Sequence, residues 1–178
     1  MKSIKLTYLL IGAQSHFKSY FRLMFKIRII AVGKNKEDWV ERSVDHYLAF
    51  LKKYCRAELI YTSERKKLAS VSETEVMKIE AGFISRKLDS GYTIALHNGG
   101  RKLDSEAFAA YLQKIMQRHG QCAFIIGGAY GLDKDLMDRC DDSLSLSPMT
   151  MSHQLIRPVL LEQLYRALSI LSGGKYHK

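Results

Sequence analysis

The stretch AFIIGGAYGL, residues 123–132, decides the fold. It begins with an unbroken apolar run, as expected of a central strand that is buried on both faces of a parallel sheet. Gly127, Gly128 and Gly131 follow directly, so a tight turn ends the strand. A buried strand that runs into a glycine-rich turn is typical of α/β domains, which bind ligands at the carboxyl ends of their strands.

Further strands are predicted on both sides of this stretch. Besides residues 123–126, short runs rich in apolar residues predict strands at Ile27–Val32, Glu58–Tyr61, Tyr92–Leu96 and Leu144–Leu146. Segments with helical spacing of their apolar residues separate these strands. Strands that alternate with helices predict an α/β domain with a mostly parallel sheet.

The predicted helices have recognisable starts. Ser72 and Asp104 are residue types that cap helices. The helix after Ser72 is expected to turn three residues inward: Val76, Ile79 and Phe83. The segment His97–Gly100 is expected to be a turn that ends the third strand. The last helix, residues 153–171, is apolar nearly all round, so one side of it is expected to pack against a partner subunit.

The composition favours a globular protein that binds a polyanion. The chain has 178 residues, enough for one domain, and its 28 Lys and Arg against 18 Asp and Glu give a net charge of +10. Nucleic acid heads the expected partners because such a charge attracts phosphates. No apolar run reaches the roughly 18 residues of a membrane span. We therefore expect a cytoplasmic protein with no membrane partner.

The sequence indicates neither a metal site nor a disulfide framework. The three cysteines, Cys55, Cys122 and Cys140, form no CxxC pair. The histidines show no ligand spacing with one another or with paired carboxylates, so no metal is expected. The motifs of dinucleotide, P-loop phosphate and α/β-hydrolase sites are also missing from the sequence: GxGxxG, GxxxxGK[ST] and GxSxG.

Residues 1–23 differ in composition from the rest of the chain. They carry four basic residues and no acidic one, and Met24 stands directly before FKIRIIAVGK. The segment is predicted to be a dispensable basic extension or the product of an upstream start codon, which leaves a single domain over residues 24–178. A signal peptide agrees less well with the sequence, because the apolar core is short and no clear cleavage site follows.

Three predicted loops at the carboxyl ends of strands form the candidate ligand site. They cover residues 96–100, 126–128 and 146–151. Together they predict a cleft of glycine backbone and apolar side chains that suits a planar heterocycle. A side chain at Gly127 is expected to meet that ligand. The alternative is that these glycines only permit tight turns, because short motifs are weak evidence by themselves.

Polar residues interrupt the apolar C-terminal helix and also follow it. His153, Arg157 and Arg166 lie among apolar residues, where such groups rarely occur without a partner. Arg166 has an alternative role as the ion-pair partner of Glu162. After a glycine hinge, the tail KYHK, residues 175–178, combines a ring, an imidazole and two cations, which suits an RNA base and its phosphates. The alternative is that the tail is only a frayed chain end.

Three ordered motifs and the terminal YHK carry a family resemblance. The motifs are IRIIAVGK at 27–34, FIIGGAYGL at 124–132 and LSLSPMTMSHQLIRPVLLEQLYRA at 144–167. From Met24 to Lys178 the sequence resembles the large-subunit pseudouridine methyltransferase H family, small SPOUT-class enzymes that methylate N3 of a pseudouridine in 23S rRNA. The resemblance implies an α/β SPOUT fold with a parallel sheet and a C-terminal deep trefoil knot, an obligate homodimer and S-adenosylmethionine as cofactor.

The resemblance also implies which residues form the site. Cofactor contacts fall at the three strand ends, on Leu96, Gly127, Leu146, Ser147, Pro148, Met149, Thr150 and Met151. The active-site neighbourhood contains His153, Arg166, Tyr176 and His177, with the tail of one protomer completing the site of the other. The sequence departs from the family pattern at Ser152, where Pro is common, and at Pro158, where Val is usual. A proline within a helix costs a hydrogen bond, so a later helix start or a kink is expected.

The expected activity is methylation of N3 of a pseudouridine in 23S rRNA on assembled ribosomal particles. His153 or His177 is the candidate base, Arg166 the stabiliser of the developing oxyanion and Tyr176 the stacking platform. Two alternatives stay open: a basic ribosome-associated protein without catalysis, and a related SPOUT methyltransferase that acts on tRNA. Cofactor binding distinguishes the first alternative from the expected activity.

Overall fold

A computed structural model describes residues 25–64 and 71–176 of the protein. This part of the chain contains the strands β1 Lys26–Val32, β2 Arg56–Thr62, β3 Tyr92–Lys102, β4 Gln121–Ile126 and β5 Asp142–Ser145. The helices that alternate with them are α1 Asp38–Leu51, α2 Glu73–Ser85, α3 Ser105–His119, α4 Lys134–Asp138 and α5 Ile156–Leu171. The predictions for residues 1–23 and for His177 lie outside the described residues.

The strands form one parallel sheet in the order β2-β1-β4-β3-β5. At its centre, Ile29 of β1 is paired with Phe124 of β4 and Ile30 with Ile125, and none of the four has exposed surface. Burial on both faces explains why these strands have nearly unbroken apolar sequences. Because the strands are parallel, their carboxyl ends meet at one edge of the sheet.

Helices cover both faces of this sheet. The larger core lies under α1, α3 and α5, and Leu112 and Leu164 are fully buried in it. The smaller core lies under α2 and α4 and contains Ile84 and Leu136. The predicted α/β domain with a parallel sheet is therefore confirmed. Within the described ranges, no helix has the length and apolar character needed to cross a membrane.

The predicted helix starts at Ser72 and Asp104 are confirmed. The Ser72 hydroxyl accepts a hydrogen bond from the backbone N–H of Glu75 at 3.2 Å. The Asp104 carboxylate accepts one from the backbone N–H of Ala107 at 2.7 Å. Each cap satisfies one of the N–H groups that the first turn of a helix leaves without a helical partner.

The inward face of α2 differs from the predicted one. Val76 is buried as expected, but Ile79 and Phe83 are only half-buried. The other buried residues of the helix are Glu80, Ala81 and Ile84. Within this buried stripe, Glu80 faces the glycine loop after β4, where its carboxylate lies beside Gly128.

The predicted turn at His97–Gly100 lies inside β3, so that prediction of the strand end was wrong. β3 continues to Lys102, and its register against β5 shifts between Leu96 and Arg101. Residues 97–100 therefore form a bulge, the usual structure where one strand carries extra residues. A Cβ atom at Gly100 would lie 2.7 Å from the backbone of Leu144, so the glycine allows the bulge to stay against β5.

The C-terminal boundaries also shift from those predicted. β5 ends at Ser145, before Leu146, and α5 begins at Ile156 rather than at His153. The later helix start that Pro158 suggested is confirmed, and Pro158 is the third residue of α5. The first N–H groups of a helix have no helical partner, so the proline removes no bond that α5 would otherwise form.

Candidate active site

A cavity of about 550 Å³ opens at the carboxyl edge of the sheet. Three segments line it: residues 96–98 at the bulge of β3, residues 126–132 after β4, and residues 150–153 before α5. Ile156, at the start of α5, completes the wall. The cavity therefore lies where parallel α/β sheets bind ligands, outside the carboxyl ends of the strands.

In the loop after β4, which lines the cavity, two glycines leave little room for a Cβ atom. A Cβ atom at Gly127 would collide with the carbonyl oxygen of Gly131 and lie 2.9 Å from the backbone nitrogen of Leu132. A Cβ atom at Gly128 would lie 2.5 Å from a carboxylate oxygen of Glu80. A side chain at Gly127 would therefore meet the protein's own loop, and the assignment of Gly127 to the cofactor stays a prediction.

Two hydrogen bonds organise the polar rim of the cavity. The backbone N–H of Gly99 donates to Nδ1 of His97 at 3.1 Å and holds the imidazole against the bulge. The side-chain amide of Asn98 donates to the Thr150 hydroxyl at 3.4 Å. The second bond connects β3 to the segment before α5, so two of the three walls support each other.

The residues assigned to the cofactor divide into two groups. Leu96, Gly127, Thr150 and Met151 line the cavity. Leu146, Ser147, Pro148 and Met149 are not among its lining residues. Of these, Leu146 packs on the larger core, the Ser147 hydroxyl accepts a hydrogen bond from the Met149 N–H at 2.9 Å, and Met149 is 76% exposed. The second group shapes the loop that leads to Thr150.

Of the predicted catalytic residues that the structure describes, only His153 lines the cavity. Burial lowers the pKa of its imidazole, and the positive charge of Arg157 lowers it further. The uncharged form of an imidazole can accept a proton. Proton acceptance at the cavity wall is therefore chemistry that His153 can perform near neutral pH.

Arg166 and Tyr176 lie together elsewhere, on the outer side of α5. Arg166 donates to Oε1 of Glu162 from Nε at 3.0 Å and from Nη2 at 2.6 Å, which bears out the alternative of an ion pair. The Tyr176 hydroxyl donates to the same oxygen at 3.2 Å. The ring of Tyr176 lies 4.8 Å from the Arg166 guanidinium and 4.6 Å from the ring of Tyr165. Neither residue reaches the cavity of its own protomer.

A family model described as a predicted SPOUT methyltransferase matches residues 25–177. The chain belongs to the SPOUT methyltransferase family. The match covers all of the described residues, including every segment that lines the cavity. The resemblance inferred from the sequence motifs is thereby confirmed, and the family implies a methyl donor as co-substrate.

Individual relatives of this SPOUT methyltransferase carry a more specific name than the family model does. It is 39% identical over 158 residues to the ribosomal RNA large subunit methyltransferase H of Acetivibrio thermocellus, covering 86% of this chain and 99% of the relative. It is 40% identical over 157 residues to the protein of the same name in Alkaliphilus oremlandii, covering 85% and 99%. A crystal structure of a probable methyltransferase from Bordetella pertussis Tohama I has the same fold, with a TM-score of 0.53 and 12% identity over 84% of this chain and 99% of that one.

The cavity of this SPOUT methyltransferase also has lining residues that the residue assignments missed. They include His97, Asn98, Tyr130, Leu132 and Ile156. His97 and Asn98 belong to a loop that glycine placement had selected, but their roles depend on a bulge that no periodicity indicates. Within the described residues, no group of His, Cys, Asp and Glu side chains is arranged to hold a metal ion.

Proposed function

We propose that the protein transfers a methyl group from S-adenosylmethionine to N3 of a pseudouridine in 23S ribosomal RNA. The observation that carries the proposal is the cavity at the strand ends, which contains four of the family-assigned cofactor residues in a confirmed SPOUT methyltransferase. The names of the relatives support ribosomal RNA as the substrate. We infer a cytoplasmic enzyme, because its proposed substrate is the assembled ribosomal particle.

The residues that line the cavity fit S-adenosylmethionine. Leu96, Ile126 and Leu132 offer apolar surface for a planar base, and the backbone after β4 offers N–H and C=O groups for ring nitrogens. Asn98 and Thr150 offer polar groups for a ribose or an amino-acid end. When bound, the cofactor supplies an activated methyl group, so the protein mainly has to position the two reactants.

In the proposed mechanism, His153 takes the proton from N3. The ring nitrogen must lose this proton for a neutral product, and a base beside it raises the rate. Arg166 stabilises the negative charge that develops on the neighbouring carbonyl oxygens, Tyr176 stacks on the base, and His177 is the alternative proton acceptor. We assign these three residues to the site of the partner protomer, because Arg166 and Tyr176 lie apart from the cavity of their own chain.

The proposed assembly is a homodimer with a C-terminal deep trefoil knot. Family membership supports both features. Incomplete burial of α5 supports the dimer, since Tyr165, Ile170 and Leu171 pack on the larger core but keep part of their surface exposed. Apolar and aromatic surface that stays open in one protomer is a common site of subunit contact.

We predict that the segment before Met24 is dispensable. The family model begins to match at residue 25, so a shortened protein beginning at Met24 should fold, dimerise and methylate like the full chain. Circular dichroism, gel filtration and a methylation assay on the two proteins test this. Precipitation or lost activity of the shortened protein alone would show that residues 1–23 have a role.

We predict that RNA association is largely electrostatic. With a net charge of +10, the affinity should fall about 10-fold or more between roughly 50 and 200 mM salt, because phosphate neutralisation releases counterions. Activity on assembled large subunits should exceed activity on a free rRNA hairpin, since a small domain depends on the particle for recognition. Equal activity on the bare hairpin would contradict that view.

Two measurements test the proposed function itself. Calorimetry with S-adenosylmethionine distinguishes the enzyme from a binding protein without catalysis, which should show no uptake of the cofactor. Mass spectrometry of nucleosides from rRNA and tRNA, from cells with and without the gene, identifies the substrate. Loss of N3-methylpseudouridine from 23S rRNA supports the proposal, whereas loss of a methylated nucleoside from tRNA alone would replace it.

A further inference from the structure

Arg157 is a fully buried cation that connects the start of α5 to the end of β1. Its Nη2 donates to the carbonyl oxygen of Val32 at 2.6 Å, and its Nη1 donates to Oδ1 of Asn35 at 2.7 Å. The guanidinium also lies 5.6 Å from the centre of the Tyr61 ring. The side chain has no exposed surface. Both hydrogen-bond acceptors are uncharged, and Glu64 and Glu41 favour the charge of Arg157 without a hydrogen bond to it.

Gln154 makes a second connection between the same two segments. Its Nε2 donates to the carbonyl oxygen of Lys34 at 3.2 Å, and its Oε1 accepts from the backbone N–H of Lys36 at 3.2 Å. We call these four hydrogen bonds, two from Arg157 and two with Gln154, the β1 clasp. The clasp holds residues 154–157 against the segment that follows β1. His153 directly precedes Gln154, the first residue of the clasp.

His153 is therefore held on the cavity wall by anchors outside the cavity. The charged groups described around it are Arg157 on α5, Lys36 after β1 and Glu64 after β2. Burial lowers the pKa of the imidazole most, Arg157 and Lys36 lower it further, and Glu64 raises it. The cations lower the pKa because a positive neighbour disfavours a second positive charge.

We propose that Arg157 is a positioning residue that, through the β1 clasp, holds His153 at the cavity wall. Together with burial, the positive charge of Arg157 also favours the uncharged imidazole, which can accept a proton. The inference rests on the proposed function for the use of that proton acceptor. A buried cation whose hydrogen bonds reach only uncharged groups is costly to a fold, and a role in the site accounts for its presence. Arg157 acts through His153 and does not touch the reacting atoms.

The charge part is tested in the full-length protein without substrate. The His153 resonances are assigned with a His153→Gln variant and followed by NMR from acidic to alkaline pH. In Arg157→Met, which keeps bulk and loses charge, the midpoint of the His153 titration should move to higher pH. In Arg157→Lys, which keeps the charge, it should stay closer to that of the unchanged protein. Arg118→Met, on α3, is the control and should leave the midpoint in place.

The positioning part is tested by methylation kinetics on large ribosomal subunits. Arg157→Lys loses the guanidinium group, whose two nitrogens bind Val32 and Asn35 separately. His153 should then shift, and kcat should fall about 10-fold or more, because small displacements of a catalytic group are costly. The affinity for S-adenosylmethionine, measured by calorimetry, should change much less. In Arg157→Met the acid limb of the kcat profile should also move to higher pH, together with the NMR midpoint.

Either of two results overturns the proposal: an unmoved His153 midpoint in folded Arg157→Met, or an unchanged kcat in folded Arg157→Lys. If the Arg157 variants do not fold, Asn35→Ala and Gln154→Ala each remove part of the clasp from less buried positions. A fall in kcat in both then supports the positioning role, and full activity in both overturns it. Absence of any methyl transfer by the unchanged protein would refute the proposed function, while the NMR titration would still report on the Arg157 charge.

Discussion

Gly127→Val should abolish detectable binding of S-adenosylmethionine. The Cβ atom alone would collide with the carbonyl oxygen of Gly131 and approach the Leu132 nitrogen to 2.9 Å, and both atoms belong to backbone that cannot rotate away. The loop after β4 would have to move, and it supplies a whole wall of the cavity. We expect the affinity measured by calorimetry to fall more than about 100-fold, as expected when a preformed site is lost.

The same collision makes a distinctive prediction for Gly127→Ala. If a side chain only blocked the ligand, alanine would be mild and valine severe; if the backbone loop is displaced, both should be severe. Gly82→Ala is the matched control, because a Cβ atom at Gly82 in α2 meets nothing within 4 Å. That variant should bind normally and gain roughly 0.5–1 kcal/mol of stability, since alanine is the better helix former. Normal binding by folded Gly127→Ala would remove this loop from the site.

The main features of the fold could be predicted because they depend on local pattern. The apolar runs of β1 and β4 and the caps at Ser72 and Asp104 are each readable within a few residues. The buried face of α2 could not be predicted from local pattern. It depends on Glu80, a charged residue that hydropathy assigns to the surface, being buried beside Gly128, which follows it by nearly fifty positions.

The candidate site was predictable only in part for a similar reason. Each of the three predicted loops contributes residues to the cavity, but residues 97–100 form a bulge inside β3 and residues 146–149 do not line the cavity. The bulge after Leu96 depends on the register between β3 and β5, and the approach of Asn98 to Thr150 depends on that bulge. The role of Arg157 depends on Asn35, which is 122 positions away. Contacts of this separation leave no periodic trace in one sequence.

Deleting Tyr176–Lys178 should lower methyl transfer by at least about 100-fold, because base stacking and one candidate proton acceptor are lost together. Cofactor affinity should not change, since no residue that lines the cavity is removed. The fold should persist as well, because Tyr176 is 37% exposed and leaves behind the ion pair between Arg166 and Glu162. Tyr176→Phe is the matched control: it keeps the ring on Tyr165, loses only the hydroxyl with its hydrogen bonds to Glu162 and Tyr47, and should retain most activity.

Mixing two inactive proteins tests whether the tail works across the proposed dimer. Tyr176 and Arg166 lie on the outer side of α5, apart from the cavity of their own chain, so the tail must serve the cavity of another copy if it serves one at all. Refolding the truncated protein with an equal amount of Gly127→Val gives half mixed dimers, each with one intact tail beside one intact cavity. Activity should recover to about a quarter of that of the unchanged protein, since one site in four is complete.

No recovery, with mixed dimers confirmed by mass spectrometry, would place tail and cavity in the same protomer. Full activity of the truncated protein alone would reduce the tail to frayed chain.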